Sequence, residues 1–208
     1  MKPVRTFASI SLLSLVFLTS CLGGGGVTYK EVTVEDQYMV RIPESMEKSN
    51  ELHDFAQLQY ADEKEGYFLI GIDESKQELS QLQLFYQIED YAHFVTRTVS
   101  DGLDTVNVTT QTTQDVNGLS CVSTDLFGAM TSTEEPLEVY YRLMVLESDH
   151  HFYQLIAWSG RDQYPRFRSI ADEIECSFVE LAQADPDGEG QPAGAEPASA
   201  GSAAETAE

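Results

Sequence analysis

Alternation of apolar and polar positions, which is typical of half-buried strands, dominates the chain between residues 38 and 158. The clearest hairpin signal is the dipeptide Asn117-Gly118, because both residues tolerate the positive φ angles of a two-residue turn. Two further pairs of strand-like runs are separated by short polar turns. The pattern predicts strands over Tyr38–Pro43, Phe55–Tyr60, Tyr67–Ile72, Thr105–Gln114, Leu119–Phe127, Leu137–Leu146 and Phe152–Trp158, of which the last six pair as three hairpins.

Two other segments repeat apolar residues every three or four positions, a spacing that predicts amphipathic helices. The first has acidic residues in its first turn and Gly102 as its stop signal. The second has Pro165 near its start, where a missing backbone donor is harmless, and a short strand over Ser177–Leu181 follows it. The apolar positions are Ile88, Ala92, Val95 and Val99 in the first helix, and Tyr164, Phe167, Ile170 and Ile174 in the second.

This order of elements is that of an α+β domain with a mainly antiparallel sheet. For the segment Leu79–Gln87 the sequence pattern fits either a loop or an early helical turn. The opening strand Tyr38–Pro43 resembles the start of PsbP-like and DcrB-like envelope proteins, and Ile88–Ala92 resembles their first helix. The closing helix and strand, from Phe167 to Phe178, resemble the end of those proteins.

The resemblance implies an α/β/α sandwich, in which a mainly antiparallel sheet is flanked by helices, over residues 29–182. It also implies a protein that binds or assists a partner. It brings no catalytic residues, because that fold has no common active site.

The first 20 residues are predicted to be a secretory signal peptide. Lys2 and Arg5 precede the apolar stretch Phe7–Leu18, which is too short to span a bilayer comfortably. The stretch ends in Leu18-Thr19-Ser20-Cys21, which resembles a bacterial lipobox at all four positions. That resemblance implies cleavage before Cys21 and acylation of Cys21, which would anchor the protein to a lipid bilayer. The alternatives are a plain cleaved signal and an uncleaved anchor helix.

Residues 21–28 contain four consecutive glycines and are predicted to be a flexible tether. Position 22 is Leu and not Asp, the common inner-membrane retention signal of lipoproteins, which favours the outer membrane over the inner one. Residues 183–208 contain no aromatic residue and no Leu, Ile or Val, so they are predicted to form a disordered acidic tail rich in Ala, Gly, Pro and Glu. One globular domain, residues 29–182, remains between the two ends.

The composition suits a folded but strongly acidic protein. Of its 208 residues, 42% are apolar, and 35 acidic residues against 12 basic ones give a formal charge of -23. Such a charge argues against nucleic acid as a partner. The acidic residues are scattered along the chain, which favours a general adaptation of the surface to a salty habitat. A cationic partner or divalent ions are the alternative reason for the excess.

Few residues suggest a disulfide, a metal site or a catalytic site. Once Cys21 is acylated, Cys121 and Cys176 either form a disulfide, which an oxidising envelope permits, or stay separate buried thiols. His150 and His151 could ligate a metal or shuttle protons, but a structural turn is the favoured interpretation. Neither a nucleophile-elbow motif, a Gly-rich phosphate loop nor a zinc spacing occurs, so the sequence assigns no catalytic, cofactor-binding or metal-ligating residue.

The third predicted hairpin carries a cluster of aromatic residues that could line a ligand groove, although ordinary core positions explain most of them. The sequence therefore predicts an envelope lipoprotein that acts as a non-catalytic binding or assembly module for another envelope protein. A small-ligand carrier is the alternative, followed by an envelope hydrolase that uses the His150 region. The aromatic residues are Tyr140, Tyr141, Phe152, Tyr153 and Trp158.

Overall fold

The computed structural model describes residues 26–131 and 136–181. The predicted signal peptide, Cys21 and the predicted tail lie outside these residues. The described elements are, in chain order, β1 (Tyr29–Val34), β2 (Tyr38–Pro43), β3 (Glu47–Lys48), β4 (Leu58–Asp62), β5 (Tyr67–Ser75), α1 (Lys76–Gln81), α2 (Ile88–Ser100), β6 (Thr105–Val116), β7 (Leu119–Met130), β8 (Leu137–Glu147), β9 (His151–Gly160), α3 (Tyr164–Cys176) and β10 (Val179–Glu180).

The centre of the molecule is a seven-stranded sheet in the order β3-β4-β5-β9-β8-β7-β6, and every neighbouring pair in it is antiparallel. The three predicted hairpins are confirmed as β4–β5, β6–β7 and β8–β9. The β6–β7 turn has φ angles of 52° at Asn117 and 91° at Gly118, the type I′ geometry that this dipeptide favours. A smaller sheet, β1-β2-β10, packs beside the large one.

Elements pack on both faces of the large sheet, so consecutive residues in the middle of β8 and β9 are buried. Helix α2 packs on one face, against β7 and β8. Helix α3 and strand β2 pack on the other face, around Tyr38, Tyr140 and Phe167. The predicted α/β/α sandwich with a mainly antiparallel sheet is therefore confirmed.

The structure differs from the sequence prediction in three elements. Strands β1 and β3 were not predicted, because their exposed charged residues hide the strand pattern. The open segment Leu79–Gln87 contains the end of α1 and then a loop. None of the helices among the described residues is long and apolar enough to cross a membrane.

Candidate binding groove

An apolar groove of about 560 Å³ runs along the face of the large sheet that α2 covers only in part. We call it the α2 groove. One wall is α2 with the residues that follow it, the other wall is the loop of residues 49–57, and strands β5, β8 and β9 form the floor. The side chains that line it are mostly apolar: Leu52, His53, Phe55, Ile70, Ile72, Glu74, Phe94, Val95, Thr98, Val99, Leu103, Met130, Tyr141, Gln154, Ile156 and Trp158.

The helical wall exists because α2 is amphipathic and sits off the centre of the sheet. Its buried residues, among them Tyr91 and Val95, face β7 and β8. The neighbouring apolar positions of β5 and β9 lie beside the helix and form the groove floor. Phe94 stands at the edge of the groove with 47% of its surface exposed. A large apolar side chain in this position is available to a binding partner.

The opposite wall is held in shape by Gln59, a buried residue of β4. Its Oε1 accepts hydrogen bonds from the backbone N–H groups of Leu52 (3.0 Å) and His53 (3.1 Å), and its Nε2 donates to the carbonyls of His53 (2.8 Å) and Ala56 (3.0 Å). These four bonds order the loop without a regular element. The loop carries Phe55, which is 79% exposed, into the solvent at the groove.

The floor carries two aromatic residues, Tyr141 and Trp158. The Trp158 ring stacks on Phe68 with ring centroids 5.3 Å apart and on Tyr141 with centroids 6.0 Å apart. Trp158 is the only tryptophan of the chain. Its emission therefore reports on the floor of the α2 groove.

The groove has one polar end, built around the phenol of Tyr91. The Tyr91 hydroxyl donates to a carboxylate oxygen of Glu74, and it accepts a hydrogen bond of 2.6 Å from Gln154 Nε2. Burial and the neighbouring Glu74 carboxylate raise the pKa of Tyr91, which keeps the phenol protonated and donating. Glu74 and Gln154 thus offer a fixed polar group to whatever occupies the apolar part.

The aromatic cluster of the third hairpin is divided between the two faces of the sheet. Tyr141 and Trp158 line the α2 groove, whereas Phe152 lies in the core beneath α2. Tyr140 and Tyr153 belong to the core on the α3 face. Strand alternation explains this division, because neighbouring residues point to opposite faces.

Among the described residues, no group of three or more His, Cys, Asp and Glu side chains is placed to hold a metal ion. Nδ1 of His151 lies 3.2 Å from Oδ1 of Asp73, and its ring stacks on Tyr153. The Ser148 hydroxyl accepts hydrogen bonds from the backbone N–H groups of His150 and His151. These bonds close a structural turn, as the sequence favoured.

Cys121 and Cys176 are both free thiols, so the disulfide that the sequence left open is not formed in the structure. Cys121 is buried, with its Sγ 3.5 Å from both the Ser123 hydroxyl and a Glu175 carboxylate oxygen. Burial and this carboxylate raise the pKa of Cys121 to about 12. Cys176 is exposed, so the alternative of two buried thiols holds for Cys121 only.

A buried ionic cluster beneath α3 was missed by sequence reasoning. The Arg142 guanidinium lies 2.8 Å from Oε2 of Glu175 and 3.2 Å from Oδ1 of Asp125. Asp125 also accepts hydrogen bonds from the Tyr140 hydroxyl (2.6 Å) and from Nε of Arg168 (3.1 Å). The available signal was a charged residue in the middle of each of two predicted strands, since Asp125 and Arg142 are direct cross-strand partners. These contacts fasten α3 to the sheet.

No family model matches the sequence, and no curated protein matches it. Several solved structures do share its fold. Cyanobacterial PsbP (CyanoP) of Synechocystis superposes with a TM-score of 0.55 at 16% identity, covering 78% of this chain and 98% of its own. The Ran-binding protein Mog1p of Saccharomyces cerevisiae gives a TM-score of 0.56 at 8% identity, covering 75% and 97%.

LpqN of Mycobacterium tuberculosis, which is involved in cell envelope biogenesis, gives a TM-score of 0.50 at 13% identity, covering 75% of this chain and 92% of its own. Identities this low show the fold alone. The predicted PsbP-like fold is thereby confirmed, whereas the resemblance to DcrB-like proteins stays a prediction. The chain has the fold that PsbP and Mog1p share.

Proposed function

We propose that this protein is a lipid-anchored envelope lipoprotein that acts as a non-catalytic binding or assembly module, and that the α2 groove receives an apolar segment of another envelope protein. The observation that carries the proposal is the groove itself, with Phe55 and Phe94 exposed on its opposite walls. Large aromatic side chains that protrude beside an apolar cleft are typical of protein-binding surfaces.

The charged residues around the groove indicate which kind of partner segment it binds. Glu51, Asp54 and Asp101 are exposed and adjacent in sequence to residues that line the groove, and Arg97 on α2 already faces Asp101 at 3.9 Å. An acidic rim around an apolar cleft favours an apolar segment flanked by Lys or Arg. Two proteins of the same fold, Mog1p and LpqN, are described by Ran binding and by envelope biogenesis, which agrees with a binding role.

Site-specific photocrosslinking in intact cells tests the partner. A benzophenone side chain at position 55 and one at position 94 should each label the same protein, because the two positions face one cleft. Phe85 is the matched control, since it is 78% exposed but does not line the groove. The labelled peptide should be apolar with neighbouring Lys or Arg. Equal labelling from position 85, or different products from the two walls, would overturn the proposal.

A small-ligand carrier is the second candidate, because a groove of about 560 Å³ lies within the roughly 300–1,000 Å³ of ligand sites. Titration with the apolar probe N-phenyl-1-naphthylamine distinguishes the candidates. A carrier should bind it saturably and quench Trp158, and Thr98→Lys on the groove wall should abolish the effect. Native mass spectrometry of the protein from its own membranes should then show a bound small molecule in place of a partner protein.

The anchor is tested separately from the groove. Cys21→Ser should release the protein from membranes and remove the acyl mass found on the wild type, because the thiol is the only acylation point the lipobox offers. Density-gradient separation of the wild type should place it with the outer membrane. A Cys21→Ser protein that still sediments with membranes and carries no acyl group would contradict the anchoring mechanism, whatever the groove binds.

A further inference from the structure

Strand β6 is a long and unprotected edge of the seven-stranded sheet. It is the last strand in the order, so among the described strands none pairs with the outer side of its backbone. Eleven of its twelve residues are exposed, and only Val116 is buried. Free strand edges of this length are sites at which another strand can add to the sheet.

The sequence of β6 lacks the features that usually block such an edge. It contains no Lys and no Pro, and Asp115 is its only charged residue, in a protein with a charge of -23. The single irregularity is a bulge between Val108 and Thr110. The segment Thr110–Val116 pairs with β7 in unbroken register. Seven residues are therefore available in a regular strand.

The β6–β7 turn determines which backbone groups of this segment point outward. In the turn at Asn117-Gly118, the Val116 carbonyl accepts from the Leu119 N–H, which makes this the hydrogen-bonded pair. Bonding and non-bonding pairs alternate along an antiparallel ladder. The N–H and C=O groups of Gln111, Thr113 and Asp115 therefore face away from β7.

We propose that β6 pairs with β6 of a second copy of this chain, antiparallel and about a two-fold axis through Thr113. This register uses the whole regular segment and places Thr113 opposite Thr113 of the other copy. Gln111 then lies opposite Asp115, twice. Thr–Thr pairs and an amide opposite a carboxylate both stabilise cross-strand contacts, and all the outward-facing groups are bonded.

A second copy is the occupant that the strand fits, because the pairing is self-complementary. Two copies with the same net charge repel each other, and this repulsion is weakest where both present a nearly uncharged strand such as β6. The register also keeps Asp115 away from its own equivalent. The other end of the large sheet is β3, whose two residues, Glu47 and Lys48, are both charged. Among the described strands of this sheet, β6 is thus the edge suited to pairing.

The helices leave room for this assembly. Strands in a sheet are spaced about 4.8 Å apart. Helix α2 lies over β7 and β8, so two copies of α2 on the same face of a continuous sheet would be separated by roughly 20 Å. This exceeds the helix diameter of about 10–12 Å. The two α2 grooves stay open, so the dimer is compatible with the proposed partner binding.

Charge substitution at the two-fold axis tests the pairing. The full-length wild type, extracted from membranes in mild detergent, is measured by sedimentation and should show a concentration-dependent dimer. Thr113→Lys and Thr113→Glu should each weaken the dimer by about tenfold or more, because like charges then face each other directly. An equimolar mixture of the two variants should restore dimers, because Lys then faces Glu.

Matched controls separate pairing from folding. Gln81→Lys, an exposed position at the end of α1 and outside the α2 groove, adds the same charge away from the edge and should leave the dimer intact. Circular dichroism of both Thr113 variants should match the wild type, since their backbone bonds to β7 are unchanged. A wild type that stays monomeric at all concentrations overturns the proposal. Two Thr113 variants that fail to associate when mixed, or that dimerise separately as well as the wild type does, overturn it equally.

Discussion

The two cysteines beneath and beside α3 have opposite environments and should react differently. Cys121 is buried with a pKa raised to about 12, whereas Cys176 is exposed. Partial burial and the neighbouring Glu175 raise the pKa of Cys176 as well, so access to solvent decides the difference: a thiol reagent should modify Cys176 in the native protein and leave Cys121 intact. Mass spectrometry of the Cys21→Ser chain should show one adduct in native buffer and two in denaturant. No adduct in denaturant without reductant would mean that the two sulfurs are bridged.

Asp62 is a buried carboxylate at the turn between β4 and β5. Its charged form should stabilise the fold, so the stabilisation should depend on pH. Burial alone would raise its pKa, but hydrogen bonds from the Ser45 hydroxyl and from the N–H groups of Glu65 and Lys64 outweigh it and hold the pKa below the usual range. The native state therefore favours the charged form. The contribution is present above pH 4 and is lost as the pH falls through the lowered folded-state pKa.

Replacing the Asp62 carboxylate tests whether its pKa is lowered in the folded state. Asp62→Ala should reduce the free energy of unfolding at pH 7 by about 0.5–1.5 kcal/mol, because the Ser45 hydroxyl and the N–H groups of Lys64 and Glu65 lose their acceptor. The difference between wild type and variant should shrink as the pH falls below about 4. Denaturant unfolding at a series of pH values measures both curves. A difference that grows on acidification would show that the folded-state pKa is raised instead.

The packing of α3 on the sheet depends on the Arg142 cluster. Removing the guanidinium leaves the buried Glu175 carboxylate without its cation and Asp125 with Arg168 alone, so Arg142→Met should cost about 3–5 kcal/mol. The exposed pair of Arg41 and Glu173 is the matched control, because it joins β2 to the same helix. Arg41→Met should cost at most about 1 kcal/mol. Similar shifts in the urea midpoint of the two variants would contradict this account.

Elements with a strong periodic pattern could be predicted from the sequence, and those with a mixed pattern could not. The Asn117-Gly118 turn and the spacing of α2 identify their elements locally. Strand β1 was not predicted, because its charged residues hide the strand pattern and its pairing with β2 is a contact that the sequence does not display. The short α1 has no buried residue, so no apolar stripe marks it.

The candidate site was predictable only in part, because its residues come together through tertiary contacts that the sequence does not display. Tyr141 and Trp158 were recognised as aromatic residues of one hairpin, but which face each would occupy depends on strand register. The loop wall is fixed by Gln59, a polar residue whose four hydrogen bonds require the folded backbone. A groove between a helix and a distant loop is a property of tertiary packing, which periodicity does not encode.

The distribution of charge over the whole molecule predicts how its stability responds to salt. With 35 acidic residues against 12 basic ones, the carboxylates outnumber the cationic side chains almost three to one. Their mutual repulsion destabilises the compact state. Added salt shortens the screening length from about 10 Å at 0.1 M to about 3 Å at 1 M, which weakens this repulsion. We therefore expect the free energy of unfolding at pH 7 to rise with sodium chloride.

Repeating the salt series at a second pH distinguishes charge repulsion from a general salting-out of apolar surface. The measured quantity is the slope of the free energy of unfolding against salt concentration. The isoelectric point calculated from the sequence is about 4.2. Near that pH the net charge vanishes, so the repulsive contribution to the salt response should vanish with it, whereas salting-out would persist. A slope that is equally steep at pH 7 and near pH 4 would therefore contradict the repulsion. A slope confined to neutral pH agrees with an acidic surface that suits a salty habitat.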